Sequence, residues 1–330
     1  MNVIRAISQY EKVLVVAREG TFDVKDYEEL AAEITENRVE VCPLPCDDVW
    51  LRDSGPTFVV NEDRSEVNGV CWNFNAWGGI VRGFERDKAL AAAICRAENF
   101  PVYRAPLVCE GGALAFDGEG TVITTTPVLL DVCRNGGTMS KEDIEGVLME
   151  SLGVRKVIWL PEGVAGDDTK GHVDNMVAFV KPGEVVLTWT DDQEDEQHAT
   201  SVRAERILME TTDAQGRRLK VHRLHQPDKI IEHYWNYSKR LPASYVNFYI
   251  ANKAVIVPQF GQPKWDQLAL DTLSPLFPSR DIIGIQSAEI RAGNIHCITQ
   301  QVPKTKKERT RNGDGGRTCR HRLDGCYGAF

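Results

Sequence analysis

The sequence predicts an α/β fold in which one unit, strand–strand–helix–strand, repeats around a ring. Three observations predict it. Short apolar or alternating runs pair across polar turns, with the first run of each pair beginning near residues 56, 113, 175 and 245. That is a loose internal repeat of about 60 to 70 residues. Each pair is followed by a stretch of helical periodicity and then by one more short apolar run. Finally, the chain has 330 residues, which suits a closed ring of such units better than a long open array.

The elements follow in order. Residues 12–17 form a short apolar run that reads as a buried strand. Residues 23–37 have helical periodicity, with Tyr27, Leu30, Ala31 and Ile34 on one face. Residues 38–42 alternate as a strand, and Pro43, Pro45, Asp47 and Asp48 then mark a loop. The first full unit has strands at 56–60 and 67–74, a helix at 85–98 and a strand at 101–104. The second has strands at 113–117 and 121–126, a helix opening at Ser140 and a strand at 156–160. Ser140 with Asp143 has the spacing of a capping box, and Gly153 is a natural C-terminal stop. The third has strands at 175–180 and 185–190, a helix within 195–212 and a strand at 219–224. The fourth has strands at 245–250 and 254–258, a helix at 265–276 and a strand at 281–285. The segment after Gly293 opens a fifth unit, whose remaining elements must come from the N-terminus if the ring closes.

Composition narrows the class. Hydrophobic content of 42% with 26% charged residues is that of a soluble globular chain. A net charge of -9 disfavours nucleic acid and anionic membranes as partners and suits a cationic ligand. No apolar run approaches membrane-spanning length, and the first ten residues lack a signal-peptide pattern, so the expected location is cytoplasmic. The nine cysteines are scattered, without Cys-x-x-Cys spacing, which argues against a zinc ribbon or a redox motif. Cys71 and Cys95 lie in apolar-patterned segments and read as small buried hydrophobes.

The register of the units carries the functional reading. Asp53 lies just before the first hairpin strand, Glu110 before the second, His172 and Asp174 before the third, and Cys297 at the start of the last segment. Equivalent positions of a pseudo-symmetric ring meet at its axis, so these five residues are expected to form one site. Cys297 is the candidate nucleophile and His172 the candidate general acid and base. Carboxylates beside a thiol oppose its ionisation, which suits neither a neutral nor an anionic substrate. A substrate with its own positive charge resolves the conflict. A planar guanidinium offers five donors in a fork that two carboxylates can hold, so the constellation favours a guanidine or amidine.

Each residue has a competing structural reading. Asp53 follows Arg52 and could be half of an ion pair. Glu110 could be a turn carboxylate before Gly111 and Gly112. His172 and Asp174, at i and i+2, would point the same way on a strand. They could also be metal ligands, but no third ligand stands at suitable spacing, so the expected metal and cofactor content is none. Trp50 is either core or a lining of the site. His296 reads as structural, and His198, His222, His225 and His233 as surface or core residues.

Seven motifs resemble the agmatine deiminase family of the guanidine-modifying (pentein) superfamily. They are Trp50-Leu-Arg-Asp-Ser-Gly-Pro-Thr-Phe58, Trp72-Asn-Phe-Asn-Ala-Trp-Gly-Gly79, Glu110-Gly-Gly112, Gly171-His-Val-Asp174, Ala243-Ser-Tyr-Val-Asn-Phe248, Val255-Ile-Val-Pro-Gln259 and Gly293-Asn-Ile-His-Cys-Ile-Thr-Gln-Gln301. The likeness runs from about residue 3 to 303. It implies a five-bladed α/β propeller of ββαβ units in a single catalytic domain over 1–303. It also implies cofactor-free hydrolysis of agmatine to N-carbamoylputrescine and ammonia, a step of polyamine biosynthesis. Carried onto this chain, Cys297 would attack the guanidinium carbon and His172 would protonate ammonia and then activate water. Asp53 and Asp174 would hold the guanidinium nitrogens, Glu110 would position the guanidinium or His172, and Trp50 would line the site. Homo-oligomers are common in the family, which implies the same here.

Four departures set expectations of their own. The Trp- and Pro-rich stretch that precedes the first strand in the family is not found, so the closing unit is expected to lack part of its chain. Arg291 and Ala292 stand where the family has glycines, which changes the backbone expected ahead of the cysteine. Segments 80–90 and 226–242 diverge, so substrate-tail contacts do not carry over. Residues 304–330 form a basic, glycine-rich tail, read as disordered or as an extension. The alternatives within the superfamily are a peptidylarginine or arginine deiminase, the latter needing an arginine for a substrate carboxylate, such as Arg52 or Arg82. Outside it stand an inactive propeller that only binds, and a Cys/His amide hydrolase, which leaves the carboxylates unexplained.

Overall fold

The computed structural model describes residues 1–233, 237–287, 290, 293–305 and the backbone of 327–329. The strand-length runs pair into five sheets that act as blades. In the first, Thr57–Val60 is antiparallel to Val67–Cys71, which is parallel to Val102–Arg104. The same order recurs in the second with Ala115–Phe116, Thr121–Thr125 and Lys156–Leu160. It recurs in the third with Val177–Lys181, Glu184–Trp189 and Lys220–His225. The fourth has Tyr249–Ala251, Ala254–Gln259 and Asp281–Gln286. The parallel step needs a crossover, supplied by helices Glu85–Ala97, Lys141–Leu152, Glu196–Glu210 and Pro263–Leu273.

In each of the first four blades the middle strand is the most buried, because both its faces are covered, by the crossover helix and by the next blade. Val185, Val186, Leu187, Val255, Ile256 and Val257 are all fully buried. The inner strands surround one axial cavity, lined by Ala115, Phe116, Phe179, Tyr249, Ile250 and Gln301. The predicted ring is therefore present.

The fifth blade draws on both ends of the chain. Its order is Gln300–Val302, Tyr327–Ala329, Val13–Ala17, Val39–Pro43. Within the tail, read from sequence as disordered or as an extension, Tyr327–Ala329 pairs with Gln300–Val302 on one side and with Val13 and Leu14 on the other. The rest of the tail, 306–326 and 330, lies outside the described residues, as do Arg291 and Ala292. Helix Asn2–Ser8, not anticipated from the sequence, buries Val3, Ile4 and Ile7 against Tyr249, Ala254 and Ile256 of the fourth blade.

Element boundaries differ in two instructive places. The single helix expected over 23–37 is two short ones, Val24–Glu29 and Ala31–Thr35, broken at Leu30 (φ -105°, ψ 14°). Leu30 is fully buried in the fifth-blade core, while Tyr27 is left exposed. His172 and Asp174 are not on a strand. His172 caps a 3₁₀ turn, Val173–Asn175, and the strand begins only at Val177, where ladder partners start. Among the described residues no helix is long and apolar enough to cross a membrane.

The capping box at Ser140 forms as the spacing predicts. Ser140 Oγ accepts from the Asp143 N–H at 3.1 Å, and Asp143 Oδ2 accepts from the Ser140 N–H at 2.9 Å. Ser140→Ala is expected to lower unfolding stability by about 1 kcal/mol in a urea titration. A change near zero would mean that the second-blade helix is held by its packing alone.

Candidate active site

Each inner strand is preceded by a single tight turn, and these turns meet at one end of the axis. Asp53 sits in the one-turn helix Leu51–Ser54, ahead of the first blade. Glu110 caps the 3₁₀ turn Gly111–Ala113, ahead of the second. His172 and Asp174 belong to the turn ahead of the third. Asn247 stands two residues before the fourth-blade strand Tyr249–Ala251, and Cys297 three before Gln300–Val302.

The contacts join these turns into one cluster. Asp53 Oδ1 accepts the Gly112 N–H at 3.0 Å, and its Oδ2 accepts the indole N–H of Trp77 at 2.9 Å. His172 lies between two carboxylates, with Nε2 at 3.4 Å from Glu110 Oε2 and Nδ1 at 3.8 Å from Asp53 Oδ1. Asp174 Oδ2 accepts from His296 Nδ1 at 2.8 Å and from the Cys297 thiol at 3.4 Å. Its Oδ1 is buried and has no hydrogen-bond partner among the described residues. Asn247 brackets the nucleophile: Nδ2 lies 3.2 Å from Cys297 Sγ, and Oδ1 accepts the Cys297 N–H at 3.3 Å. The Arg52 N–H donates to the Cys297 carbonyl at 3.0 Å, which ties the first turn to the last.

Two glycines make this convergence possible. A Cβ on Gly112 would lie 2.6 Å from His172 Nδ1, 2.9 Å from Asp53 Oδ1 and 3.1 Å from Asp174 Oδ2. A Cβ on Gly293 would lie 2.6 Å from Trp50 Cζ3 and 3.1 Å from Cys297 Sγ. Any side chain at either position would occupy the reaction space. The second glycine also fixes Trp50 as a wall of the site beside Cys297. Trp77 reaches Asp53 through a left-handed run, Ala76, Trp77, Gly78 and Gly79, with φ of 56°, 58°, 83° and 84°. Two non-glycine residues in that region are a strained arrangement of the kind found at functional sites.

Burial and charge then set protonation. Burial raises Asp53 to about 6, with Asp174 and Glu110 adding to the rise against the pull of His172. Burial alone would depress His172, but Asp53, Glu110 and Asp174 override it and raise it to about 9. Burial opposes ionisation of Glu110, yet His172 and Arg134 hold it below its usual range. Asp174 is likewise held down, against burial, by His296, His172 and Arg52. Burial, then Asp174 and Asp53, pushes the Cys297 thiol well above its ordinary value. At neutral pH the site therefore holds a thiol, an imidazolium and ionised carboxylates. One positive charge brought beside Asp53 and Asp174 would cancel the field that keeps Cys297 protonated.

The structure brings together all five residues expected from the register, with Trp50 beside them. His296, read from sequence as structural, holds Asp174. Asn247, Trp77 and Arg134 were not singled out. Asn247 was legible in principle, since it occupies the fourth-blade position equivalent to Asp53 and Glu110. Trp77 and Arg134 reach the site from loops far away in sequence, and no spacing points to them. His198, His222, His225 and His233 bond to Thr190, Glu184, Asp191 and Ser238, outside the site. Among the described residues no group of three or more His, Cys, Asp or Glu is placed to hold a metal ion.

Comparison with known proteins gives a consistent picture. Residues 1–303 match the model of the Porphyromonas-type peptidyl-arginine deiminase family. An agmatine deiminase of Medicago truncatula is 42% identical over 334 residues, covering 92% of this chain and 87% of the relative. The structure of an Enterococcus faecalis agmatine deiminase, described as catalysing its reaction, aligns with a TM-score of 0.83 at 38% identity, over 92% of this chain and 86% of that one. A C. jejuni agmatine deiminase with substrate bound aligns with a TM-score of 0.77 at 27% identity, over 90% and 84%.

The protonated state of Cys297 predicts its reactivity. At pH 7 a neutral alkylating agent such as iodoacetamide is expected to modify the exposed Cys133 faster than Cys297, which is buried and held as a thiol by its burial and by Asp174 and Asp53. Peptide mass spectrometry separates the two sites. Equal rates would mean that Cys297 is already a thiolate in the free protein.

Proposed function

The chain belongs to the Porphyromonas-type peptidyl-arginine deiminase family, with agmatine deiminases among its relatives, and from that premise we propose that it hydrolyses the guanidinium of agmatine to N-carbamoylputrescine and ammonia. The observation that carries this reading is the buried, partnerless Asp174 Oδ1 beside a thiol that two carboxylates keep protonated. The site is short of one positive charge with donors to spare, which is what a guanidinium supplies.

Asp53 and Asp174 hold the guanidinium nitrogens, with Trp77 and His296 fixing the carboxylates from behind. As the cation enters, the thiol proton leaves to solvent, so the charge of the site is conserved. Cys297 Sγ then attacks the guanidinium carbon. The C–N bond breaks as His172 gives its proton to the departing ammonia, leaving an S-alkyl thiouronium. His172, now neutral, takes a proton from water as that water attacks the same carbon. The C–S bond breaks, the hydroxyl proton of the collapsing intermediate passes to Sγ, the neutral ureido product leaves, and the thiol and imidazolium of the resting site are restored. Glu110 orients His172 throughout, and Trp50 walls the site beside the nucleophile.

Agmatine is favoured over arginine by the state of Arg52. Its side chain is buried, and its Nε donates to the His296 carbonyl at 3.2 Å, Nη1 to Gln300 at 3.1 Å and Nη2 to Gln301 at 2.8 Å. A substrate carboxylate cannot recruit it without breaking that set.

Ammonia release tests the reading. Agmatine is expected to give ammonia, free arginine and a peptidyl-arginine ester little, and Cys297→Ser none. Ammonia from arginine at a comparable rate would overturn the assignment of substrate. The pH profile is a second check. Deimination needs Asp53 ionised, so kcat/KM falls as pH drops through about 6. It needs His172 protonated, so kcat/KM also falls as pH rises through about 9. A profile flat between pH 5 and 10 would remove both assignments.

A further inference from the structure

One buried cation at the site has no part in the reaction as derived so far. Arg134 lies in the turn between the short helix Thr126–Leu129 and the crossover helix of the second blade. Its side chain is wholly buried. Nε donates to both oxygens of Glu110, at 2.9 and 3.2 Å, and Nη2 donates to the Thr169 carbonyl at 3.0 Å. Nη1 lies 3.6 Å from Asp131 Oδ2. Glu110 Oε2 is the oxygen that faces His172 Nε2. One guanidinium thus grips the carboxylate behind the imidazole and the turn that carries the imidazole.

The turn around Arg134 is itself pinned from three blades. Asn135 Nδ2 donates to the Val108 carbonyl at 2.8 Å, and its Oδ1 accepts the Val108 N–H at 3.0 Å, just ahead of Glu110. Asp131 pairs with Lys170 of the His172 turn. The Cys133 carbonyl accepts from Asn75 Nδ2 at 2.8 Å, which belongs to the loop that sends Trp77 to Asp53. Residues 131–135 therefore touch the supports of Asp53, Glu110 and His172 together.

We propose that Arg134 is a positioning residue for the reaction: it holds the Glu110 carboxylate against His172 and fixes the Thr169 turn, so that the imidazole stays protonated and aimed until ammonia leaves. The proposal rests on the deimination reading given above. Glu110 and Asp53 face His172 directly, Asp174, Asp167 and His296 lie around it, and Arg134 acts on it through Glu110 and the Thr169 turn. Loss of Arg134 frees Glu110 to turn away or to take up a proton. Either change removes one of the negative charges that raise the basicity of His172. Lysine preserves the charge of Arg134 but not its fork.

The test compares wild type, Arg134→Gln and Arg134→Lys. The imidazole of His172 is titrated by nitrogen NMR, and agmatine turnover is measured from pH 5 to 10. Arg134→Gln is expected to lower the His172 midpoint and the basic limb of the pH profile. It should also reduce kcat by about 10- to 100-fold, the scale of lost orienting partners, while KM moves less than about threefold. Arg134→Lys should recover most of the midpoint and only part of kcat. An unchanged His172 midpoint in Arg134→Gln overturns the proposal, whatever the activity. Should that variant fail to fold, Arg134→Lys decides, and wild-type kcat there overturns the proposal. A wild-type protein that released no ammonia would sink the deimination reading, while the titration would still decide the role of Arg134.

Discussion

Three carboxylates share one buried space, and everything else at the site follows from how that burial is made tolerable. Asp53, Glu110 and Asp174 are each 5% exposed or less. Ionised groups so deep cost several kcal/mol apiece unless paired or hydrogen-bonded. Glu110 is met by Arg134 and His172, and Asp174 by His296, with Arg52 nearby. Asp53 has only two neutral donors and the edge of His172, and it is the carboxylate whose acidity is most weakened. The compensation is complete around Glu110 and incomplete around Asp53 and Asp174. The shortfall lies on the side of the nucleophile, where a cationic substrate would make it good.

That electrostatic arrangement explains how a poor resting nucleophile becomes useful. A thiol held above its normal pKa is inert toward neutral electrophiles. In the proposed reaction it ionises when a guanidinium enters and neutralises its neighbours. Specificity and activation are then the same event, because a ligand without the charge does not generate the thiolate. The same carboxylates raise the basicity of His172, so the free site already holds the imidazolium that the proposed reaction uses as an acid.

The ring supplies the geometry. Each inner strand starts at the axis, so the turn before it must place its residues there. Four blades use that position for Asp53, Glu110, the His172 and Asp174 pair, and Asn247, and the fifth uses it for Cys297. Close approach then requires the missing side chains of Gly112 and Gly293. The supports come from the outer parts of the blades. Trp77 arrives on a left-handed turn, and Arg134 on the turn ahead of a crossover helix.

Much of this was legible in the sequence. Period-two runs, polar turns and the capping box at Ser140 gave four blades in their order, because those features depend on local backbone chemistry, while strand ends shifted where ladder partners run out, as at Tyr249 and Cys71. The register of Asp53, Glu110, His172, Asp174 and Cys297 against the hairpins pointed to one site, because a repeat turns equal sequence offsets into equal places in space. What the sequence could not show is which side chains hold those five in place. Trp77 on Asp53, Arg134 on Glu110 and His296 on Asp174 are contacts between 24 and 122 residues apart along the chain. Nor could it place His172 and Asp174 on a turn instead of a strand, since strand identity depends on a ladder partner that begins only at Val177. The sequence determined the units, their order and the chemistry brought to the axis. The tertiary structure decided the charge state of that chemistry, because burial and proximity, which shift every pKa here, exist only once the blades have closed.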